Sequence, residues 1–273
     1  KQFRTKYYRE RVAKISVKDV SVDMEELQKL LQKITTNEYA GAISVSEERS
    51  GIQLYEHQKK AIQDLDRWKR GNGSGAGLLV LPTGGGKTLT ATYWLMRSIL
   101  DQGGKVLWIA HRHELLNQAL HAFERVCYQD LSPHKKNYKY RIISGQHDIA
   151  IHIKSDDEIL IASKSSLTHD LTHIRRWIRE NSNQICMVID EAHHAPAGEY
   201  RKLIETMKKY GGNFFLLGLT ATPFRTAEKE QGLLSKLFPD DILHKTDLRT
   251  LIEQGILSEP VFRPIDTNIK MAD

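Results

Sequence analysis

The chain has 273 residues, of which 40% are hydrophobic and 27% are charged, a composition that is ordinary for a folded globular protein. No apolar run approaches the roughly 20 residues of a membrane-spanning helix, and the N-terminal residues lack the apolar core of a secretory signal. The net charge of +6 permits a nucleic-acid partner without requiring one. The two cysteines make neither a disulfide framework nor a zinc pattern, and this usage fits a reducing cytoplasm.

Residues 1–50 differ in character from the rest of the chain. They begin with a basic run that contains aromatic residues and no initiator methionine, so we expect a piece of a longer protein. Apolar residues then recur at helical spacing in DMEELQKLLQKI, where Asp23 and Glu26 form a candidate capping pair. We interpret 1–50 as an accessory helical segment or the tail of a preceding domain, and we favour a packing role over a specific functional one.

Beyond residue 50, short apolar runs alternate with helical stretches. The helical stretch YEHQKKAIQDLDRWKR leads into GNGSGAG at 71–77, which we expect to be a flexible connector. Uninterrupted apolar strands separated by helices are typical of a parallel sheet covered on both faces, and ligands bind such sheets at the carboxyl ends of the strands. The sequence therefore predicts an α/β fold. The predicted strands are Leu78–Leu81, Val106–Ala110, Arg141–Ser144, Ile159–Ala162, Ile185–Ile189 and Phe214–Leu219.

The first predicted strand runs into the glycine-rich window LPTGGGKT. This window matches the phosphate-loop pattern Gly-x-x-x-x-Gly-Lys-Ser/Thr except at its first position, where Leu81 replaces glycine. The glycines let backbone N–H groups converge on phosphate oxygens, Lys87 would reach the outer phosphates, and the Thr88 hydroxyl would hold Mg²⁺. A glycine-rich turn with a chance Lys-Thr pair is the alternative, but a strand before the loop and a helix after it favour a nucleotide cradle. The cradle residues are Thr83, Gly84, Gly85, Gly86, Lys87 and Thr88.

Two carboxylates close the fifth apolar run, in ICMVIDEAHHA. Asp190 is placed to hold Mg²⁺, and Glu191 is placed to orient or deprotonate the attacking water of a phosphoryl transfer. Adjacent carboxylates repel each other, and a divalent cation offsets that repulsion. Capping of the following helix is the alternative role for this pair, and the phosphate cradle makes it the weaker interpretation.

Together, DEAH at 190–193 and PTGGGKT at 82–88 resemble motifs of the superfamily 2 helicases. Four further stretches resemble the other motifs of that superfamily, in the expected order. Their details resemble restriction-enzyme translocase subunits and repair helicases more than DEAD-box RNA helicases. The four are LYEHQKKAI at 54–62 (the glutamine motif that reads adenine), WIAHRHELLNQA at 108–119 (motif Ia), IASKSSL at 161–167 (motif Ib) and GLTATPFR at 218–225 (motif III).

This resemblance implies a RecA-like domain with the P-loop NTPase fold at 51–250. Such a domain binds ATP and Mg²⁺ and couples ATP hydrolysis to movement on nucleic acid. Gln58 would contact the adenine. The catalytic residues that the resemblance implies are Lys87, Asp190 and Glu191.

The resemblance also implies roles for residues outside the nucleotide cradle. His193 would link the nucleotide site to motif III, whose hydroxyl groups belong to Thr220 and Thr222. Contacts with nucleic acid would go mainly to phosphates and would carry no sequence information, and DNA is favoured over RNA as the partner. The residues implied on the nucleic-acid track are Arg112, Ser163 and Lys164.

The glutamine motif departs from the pattern of related proteins. Many of them have Arg-Pro-Tyr-Gln where this chain has YEHQ, so Tyr55 and His57 replace the arginine and the tyrosine. The usual adenine-stacking residue is therefore absent, and looser base selectivity is expected.

The residues after Arg225 hold neither a second sheet-sized set of strands nor the Gln-x-x-Gly-Arg-x-x-Arg motif, which supplies an arginine finger in this superfamily. The resemblance implies a nucleotide bound between two similar domains, with 251–273 as the exit linker toward the second. We therefore expect a second RecA-like domain in the same full-length chain, and weak activity of this part alone. The alternative is an ATP-gated module that binds or senses duplex nucleic acid without separating its strands.

The twelve histidines raise the question of a metal site. They cluster at 111–113, at 193–194 and at His169 with His173, where no third ligand is evident, so solvated or structural histidines are favoured over zinc ligands. The basic stretch HKKNYKYR at 134–141 contains tyrosines and could contact a nucleic-acid backbone, and a solvated loop or strand start is an equally good interpretation.

Overall fold

A mostly parallel sheet with helices on both faces organises the chain. The computed structural model describes residues 39–71, 73–168, 171–180, 184–194, 198–210, 212–222 and 234–259. The described residues belong to one compact unit that begins at Tyr39. The helix predicted in 1–38 and the linker residues after 259 lie outside the described residues, and the predicted domain limits remain predictions.

Eight described strands form one sheet in the spatial order β1-β4-β5-β3-β6-β7-β2-β8. All neighbouring pairs are parallel except β1 and β4. The predicted α/β fold is confirmed, and each of the six predicted strands is present. The strands are β1 (Ala40–Ser44), β2 (Gly75–Val80), β3 (Lys105–Ala110), β4 (Asn137–Ile143), β5 (Ile159–Ser163), β6 (Gln184–Asp190), β7 (Asn213–Thr220) and β8 (Ile242–Lys245).

Helices cover both faces of this sheet. One apolar core lies beneath α1, α2 and α3, and a second core lies beneath α5 and α6 on the opposite face. No helix among the described residues is long and apolar enough to cross a membrane. The helices are α1 (Glu56–Gly71), α2 (Lys87–Leu95, continued by a π-helical turn at Met96–Leu100), α3 (His113–Val126), α4 (Lys164–Thr168), α5 (Thr172–Arg179), α6 (Gly198–Tyr210) and α7 (Leu248–Glu253).

Burial on both faces explains why the central strands are continuous apolar runs. Every residue of β3 and of β5 is buried, and along β2 the side chains of Leu78 and Leu79 enter opposite cores. The central strands are parallel, so their carboxyl ends meet at one edge of the sheet. The loops after β2, β3, β5, β6 and β7, which carry the predicted motifs, therefore meet at that edge.

The expectation of a flexible connector at 71–77 is wrong for its second half, because Gly75–Val80 form strand β2. These glycines provide room for close packing. A Cβ atom on Gly77 would lie 2.5 Å from Cγ of Leu243, and one on Gly75 would lie 2.7 Å from Nε1 of Trp68. Neighbouring side chains occupy the space that a side chain here would need.

Strand β1 lies in the region that the sequence assigned to an accessory helical segment. It pairs antiparallel with β4, with Ala40 opposite Arg141, and so extends one edge of the sheet. Of its five residues only Ile43 is buried, so the strand lacks the apolar run that marks the central strands.

Candidate functional site

The glycine-rich loop between β2 and α2 makes a tight turn. Gly84 and Gly86 both have φ +81°, a left-handed conformation that glycine adopts without the steric cost of a side chain. The N–H of Gly85 donates to the carbonyl of Pro82 at 2.9 Å. The first helical bond of α2 runs from Thr90 to Gly86, so the N–H groups of the three preceding residues have no helical acceptor and are available to an anion.

The glutamine motif packs directly against this loop. Gln58 is buried, and its Oε1 accepts the N–H of Tyr55 at 3.0 Å. Its amide nitrogen occupies the space that a side chain on Gly86 would need. The neighbouring His57 is also buried, and its Nε2 lies 2.9 Å from the carbonyl oxygen of Gly85. The start of α1 therefore supports the loop from the side.

The two carboxylates lie at the carboxyl end of β6. Asp190 is 8% exposed, and one of its oxygens accepts the N–H of Glu191 at 3.0 Å. Burial, together with the neighbouring charge of Glu191, raises the pKa of Asp190 to about 6. Glu191 has φ +52°, which is uncommon for a residue with a side chain and is a form of strain that clusters at functional sites.

One cleft of about 570 Å³ brings the loop and the carboxylates together. Its lining includes Lys87 and Thr88 from the start of α2 and Asp190 and Glu191 from the end of β6. These two segments are distant in sequence and become neighbours because β6 and β2 flank the same strand, β7. The sequence predicted both segments. The loop residues in the lining are Thr83, Gly84, Gly86, Lys87 and Thr88.

Helix α3 forms a wall of this cleft that the sequence analysis missed. Its contributing residues recur at helical spacing and include the polar side chains of Gln118, His121 and Arg125. Helical periodicity could have shown that these residues share a face. It could not have shown that this face borders the phosphate loop. The residues of this wall are Leu115, Gln118, His121, Ala122 and Arg125.

Hydrogen bonds join the three predicted coupling residues. The Thr220 hydroxyl donates to the carbonyl of Thr222 at 2.9 Å and accepts the N–H of Thr222 at 3.2 Å. The proton of the Thr220 hydroxyl is already used in the bond to Thr222. Nδ1 of His193, 3.2 Å from this hydroxyl, is therefore the donor in the hydrogen bond between His193 and Thr220. The same Nδ1 lies 3.3 Å from a carboxylate oxygen of Glu191, so His193 connects β6 to the end of β7.

The three predicted nucleic-acid residues lie at the same edge of the sheet, because Ala110 of β3 pairs with Ser163 of β5. Arg112 is exposed and precedes the first residue of α3. The Ser163 hydroxyl is buried and lies 2.8 Å from that of Ser166. Lys164 lies over a tyrosine ring, with its Nζ 5.5 Å from the ring centre of Tyr200.

The basic stretch at 134–141 leads into strand β4, so the structure favours the interpretation as a strand start. Two of its lysines pair with carboxylates from the loop before β5: Lys135 with Glu158, and Lys139 with Asp156. In the part of the chain that the structure describes, no group of three or more His, Cys, Asp or Glu side chains could hold a metal ion. His169 lies outside that part.

Comparison with known proteins agrees with this geometry. Residues 51–225 match the family described as "Type III restriction enzyme, res subunit". The chain is 26% identical over 198 residues (71% of its length) to the ATP-dependent DNA helicase mph1 of Aspergillus fumigatus, and 29% identical over 206 residues (71%) to the putative ATP-dependent helicase IRC3 of Saccharomyces cerevisiae. It spans only 16% and 26% of the lengths of these relatives.

A solved structure shows the same fold. The DEAD box protein from Methanococcus jannaschii matches with a TM-score of 0.50 and 16% sequence identity, over 73% of this chain and 56% of that one. The match to the family covers more than half of the chain, including the glutamine motif, the phosphate loop and both carboxylates. The chain therefore belongs to the type III restriction enzyme res subunit family and carries the RecA-like, helicase-type ATPase domain of the superfamily 2 DNA helicases.

Proposed function

We propose that this chain is the ATP-binding and ATP-hydrolysing part of a motor that moves on DNA, in a helicase or a translocase. The observation that carries the proposal is the single cleft in which a glycine-rich phosphate loop faces two adjacent carboxylates. The names of the curated relatives, which include an ATP-dependent DNA helicase, support ATP as the nucleotide and DNA over RNA as the polymer.

The residues of the cleft fit a magnesium nucleotide. The hydroxyl of Thr88 and the carboxylate of Asp190 are hard oxygen ligands of the kind that Mg²⁺ prefers, and they line the same cleft. Burial raises the pKa of Asp190 despite the opposing charge of Lys87, and a cation bound beside this carboxylate would favour its charged form. When bound, Mg²⁺ supplies neutralisation of the charge on the transferring phosphoryl group.

The protein groups have separate tasks in this proposal. Lys87 and the N–H groups at the start of α2 bind the phosphates. Gln58, which is buried beside the loop and does not line the cleft itself, is assigned to the base. Glu191 holds the attacking water and accepts its proton. His193 bonds to Thr220 and faces Glu191, so a shift of one affects the other.

The proposal includes three further features: contacts with DNA, a second domain and a cellular setting. Arg112 and Lys164 bind the phosphates of the DNA at the carboxyl edge of the sheet, together with Ser163, whose hydroxyl is hydrogen-bonded to Ser166 after β5. A second RecA-like domain of the full-length protein closes the nucleotide cleft and provides an arginine. The cytoplasm is the proposed setting, since both cysteines are buried free thiols.

Nucleotide binding by this chain tests the proposal through the variant Lys87→Ala. We expect MgATP to raise the Tm of the wild-type chain, because a ligand that binds only the folded state stabilises it, and to leave the Tm of the variant unchanged. Lys202→Ala is the matched control, since Lys202 is exposed on α6 away from the cleft. Equal stabilisation of the wild type and Lys87→Ala would contradict the proposal.

A further inference from the structure

The contact between His57 and the phosphate loop determines which ring nitrogen carries the proton. Nε2 of His57 lies 2.9 Å from the carbonyl oxygen of Gly85. A carbonyl oxygen can only accept a hydrogen bond, so Nε2 must be the protonated nitrogen and must donate. His57 is 5% exposed, so little water competes for this bond.

The other ring nitrogen of His57, Nδ1, destabilises the folded chain. In the neutral ring Nδ1 is an acceptor, and it is buried without a hydrogen-bond partner in the described ranges of the chain. A buried acceptor without a hydrogen-bond partner destabilises the folded chain, because it loses its bond to water on folding. A phenyl ring would fill this space without that cost, so the advantage of histidine here must come from its bond to Gly85.

Gly85 is the position where such a bond has the largest effect. It lies between Gly84 and Gly86, both at φ +81°, and three successive glycines have more conformational freedom to lose than any other tripeptide. Fixing the carbonyl of the middle residue restrains the peptide planes on both sides. The loop is thereby held in its anion-binding shape before a ligand arrives, and such preorganisation favours binding.

We infer that His57 is a positioning residue that holds the phosphate loop in its binding shape, an inference that rests on the proposed nucleotide function. Its task differs from that of Gln58, which follows it on α1 and is assigned to the base. Tyr55 stacks on His57, with ring centres 5.9 Å apart and planes at 16°, and so fixes the orientation of the imidazole. His57 therefore acts on the phosphates of any nucleotide, whatever its base.

The test compares two ligands that share phosphates and differ in the base: MgATP and magnesium tripolyphosphate. Their dissociation constants are measured by calorimetry for the wild-type chain and for His57→Phe, His57→Gln and Gln58→Ala. We expect His57→Phe to weaken the binding of both ligands by the same factor, about 5- to 10-fold, which corresponds to one lost hydrogen bond. We expect His57→Gln, whose amide can donate at a similar reach, to restore most of that loss.

Gln58→Ala should weaken MgATP more than tripolyphosphate, because Gln58 is assigned to the base. The matched control for His57→Phe is His244→Phe, which also removes a largely buried histidine that is hydrogen-bonded to an α1 partner, Asp64, but lies outside the cleft. It should leave both dissociation constants unchanged.

Unchanged affinity of His57→Phe for tripolyphosphate, with binding by the wild type intact, would overturn the positioning role alone. Failure of the wild type to bind either ligand would overturn the proposed function, and the positioning role with it. The histidine ¹⁵N spectrum of the wild type gives a second readout that needs no variant. It should show a proton on Nε2 of His57, and a ring whose Nε2 carries no proton would contradict the inference.

Discussion

At the scale of single residues, the buried charge of Asp190 destabilises the folded chain when no cation is bound beside it. Its pKa of about 6 lies above the value of 3.8 for the unfolded chain, so the native state binds the proton more tightly. The free energy of unfolding therefore falls as pH rises from about 4 to 6, and the full cost of the buried charge is present above that range.

We predict that Asp190→Asn stabilises the metal-free chain at pH 7.5 by on the order of 1 to 3 kcal/mol, because the amide carries no charge to desolvate. Urea unfolding at pH 7.5 and pH 4 measures this, and the gain should vanish at pH 4, where wild-type Asp190 is protonated. Asp156→Asn, at an exposed carboxylate paired with Lys139, should bring no gain at either pH. A variant no more stable than wild type at pH 7.5 would show that burial does not penalise Asp190.

At the scale of elements, the short helix α7 packs against the phosphate loop through Leu251. Its C-terminal turn closes through Gly255, at φ +68°, where the N–H groups of Ile256 and Leu257 both donate to the carbonyl of Leu251. Leu251 is fully buried, and a Cβ atom on Gly85 would lie 3.1 Å from its Cδ1.

We predict that Leu251→Ala lowers the free energy of unfolding by about 2 to 4 kcal/mol, as expected for a truncated core leucine. It should also weaken MgATP binding, because the loop loses the side chain that it packs against. Urea unfolding and calorimetry measure the two effects. Leu248→Ala is the control on the same helix, since Leu248 is half exposed and should change neither quantity. Undiminished MgATP affinity of folded Leu251→Ala would contradict support of the loop by α7.

Elements that are buried on two faces could be predicted from the sequence, and elements at the edges could not. Strands β3 and β5 are apolar at every position or nearly so, because a parallel strand between two helical layers has no solvent face. In the edge strands β1 and β8 all residues but Ile43 are partly or fully exposed. Their sequences, AGAIS and ILHK, therefore lack the apolar run by which the central strands are recognised. The glycines at 75 and 77 were wrongly assigned to a flexible connector for a related reason. Gly77 makes room for Leu243, and this contact cannot be predicted from the residues next to Gly77 in the sequence.

At the scale of the whole molecule, the site was predictable where topology alone brings residues together. The carboxyl ends of parallel strands share an edge, so the sequence placed the loop at Lys87 and the pair at Asp190 on the same edge. The strand order, with β6 and β2 on either side of β7, then makes them neighbours. The wall formed by α3 and the bond from His57 to Gly85 depend on how helices pack over that edge. Periodicity identifies the buried face of a helix but not the group that lies opposite it.

In the proposed function a second domain completes the nucleotide cleft of this chain, and this leads to a prediction about turnover. Its described cations include Lys87 and Arg125, but the 273 residues contain no arginine-finger motif. We predict that the chain binds MgATP and hydrolyses it slowly, and that neither DNA nor RNA changes the rate. A longer form with the second domain should be about 10³- to 10⁵-fold faster, the usual contribution of such an arginine.

Phosphate release measured with single-stranded DNA, duplex DNA, RNA or no polymer checks this, with Lys87→Ala as the blank. A rate for this chain close to that of the longer form would contradict the prediction. It would mean that Arg125, which already lines the cleft, supplies the charge assigned to the second domain, and Arg125→Gln would then abolish the activity. If the rate is slow and Arg125→Gln does not change it, Arg125 does not act as the arginine finger. The arginine must then come from another domain.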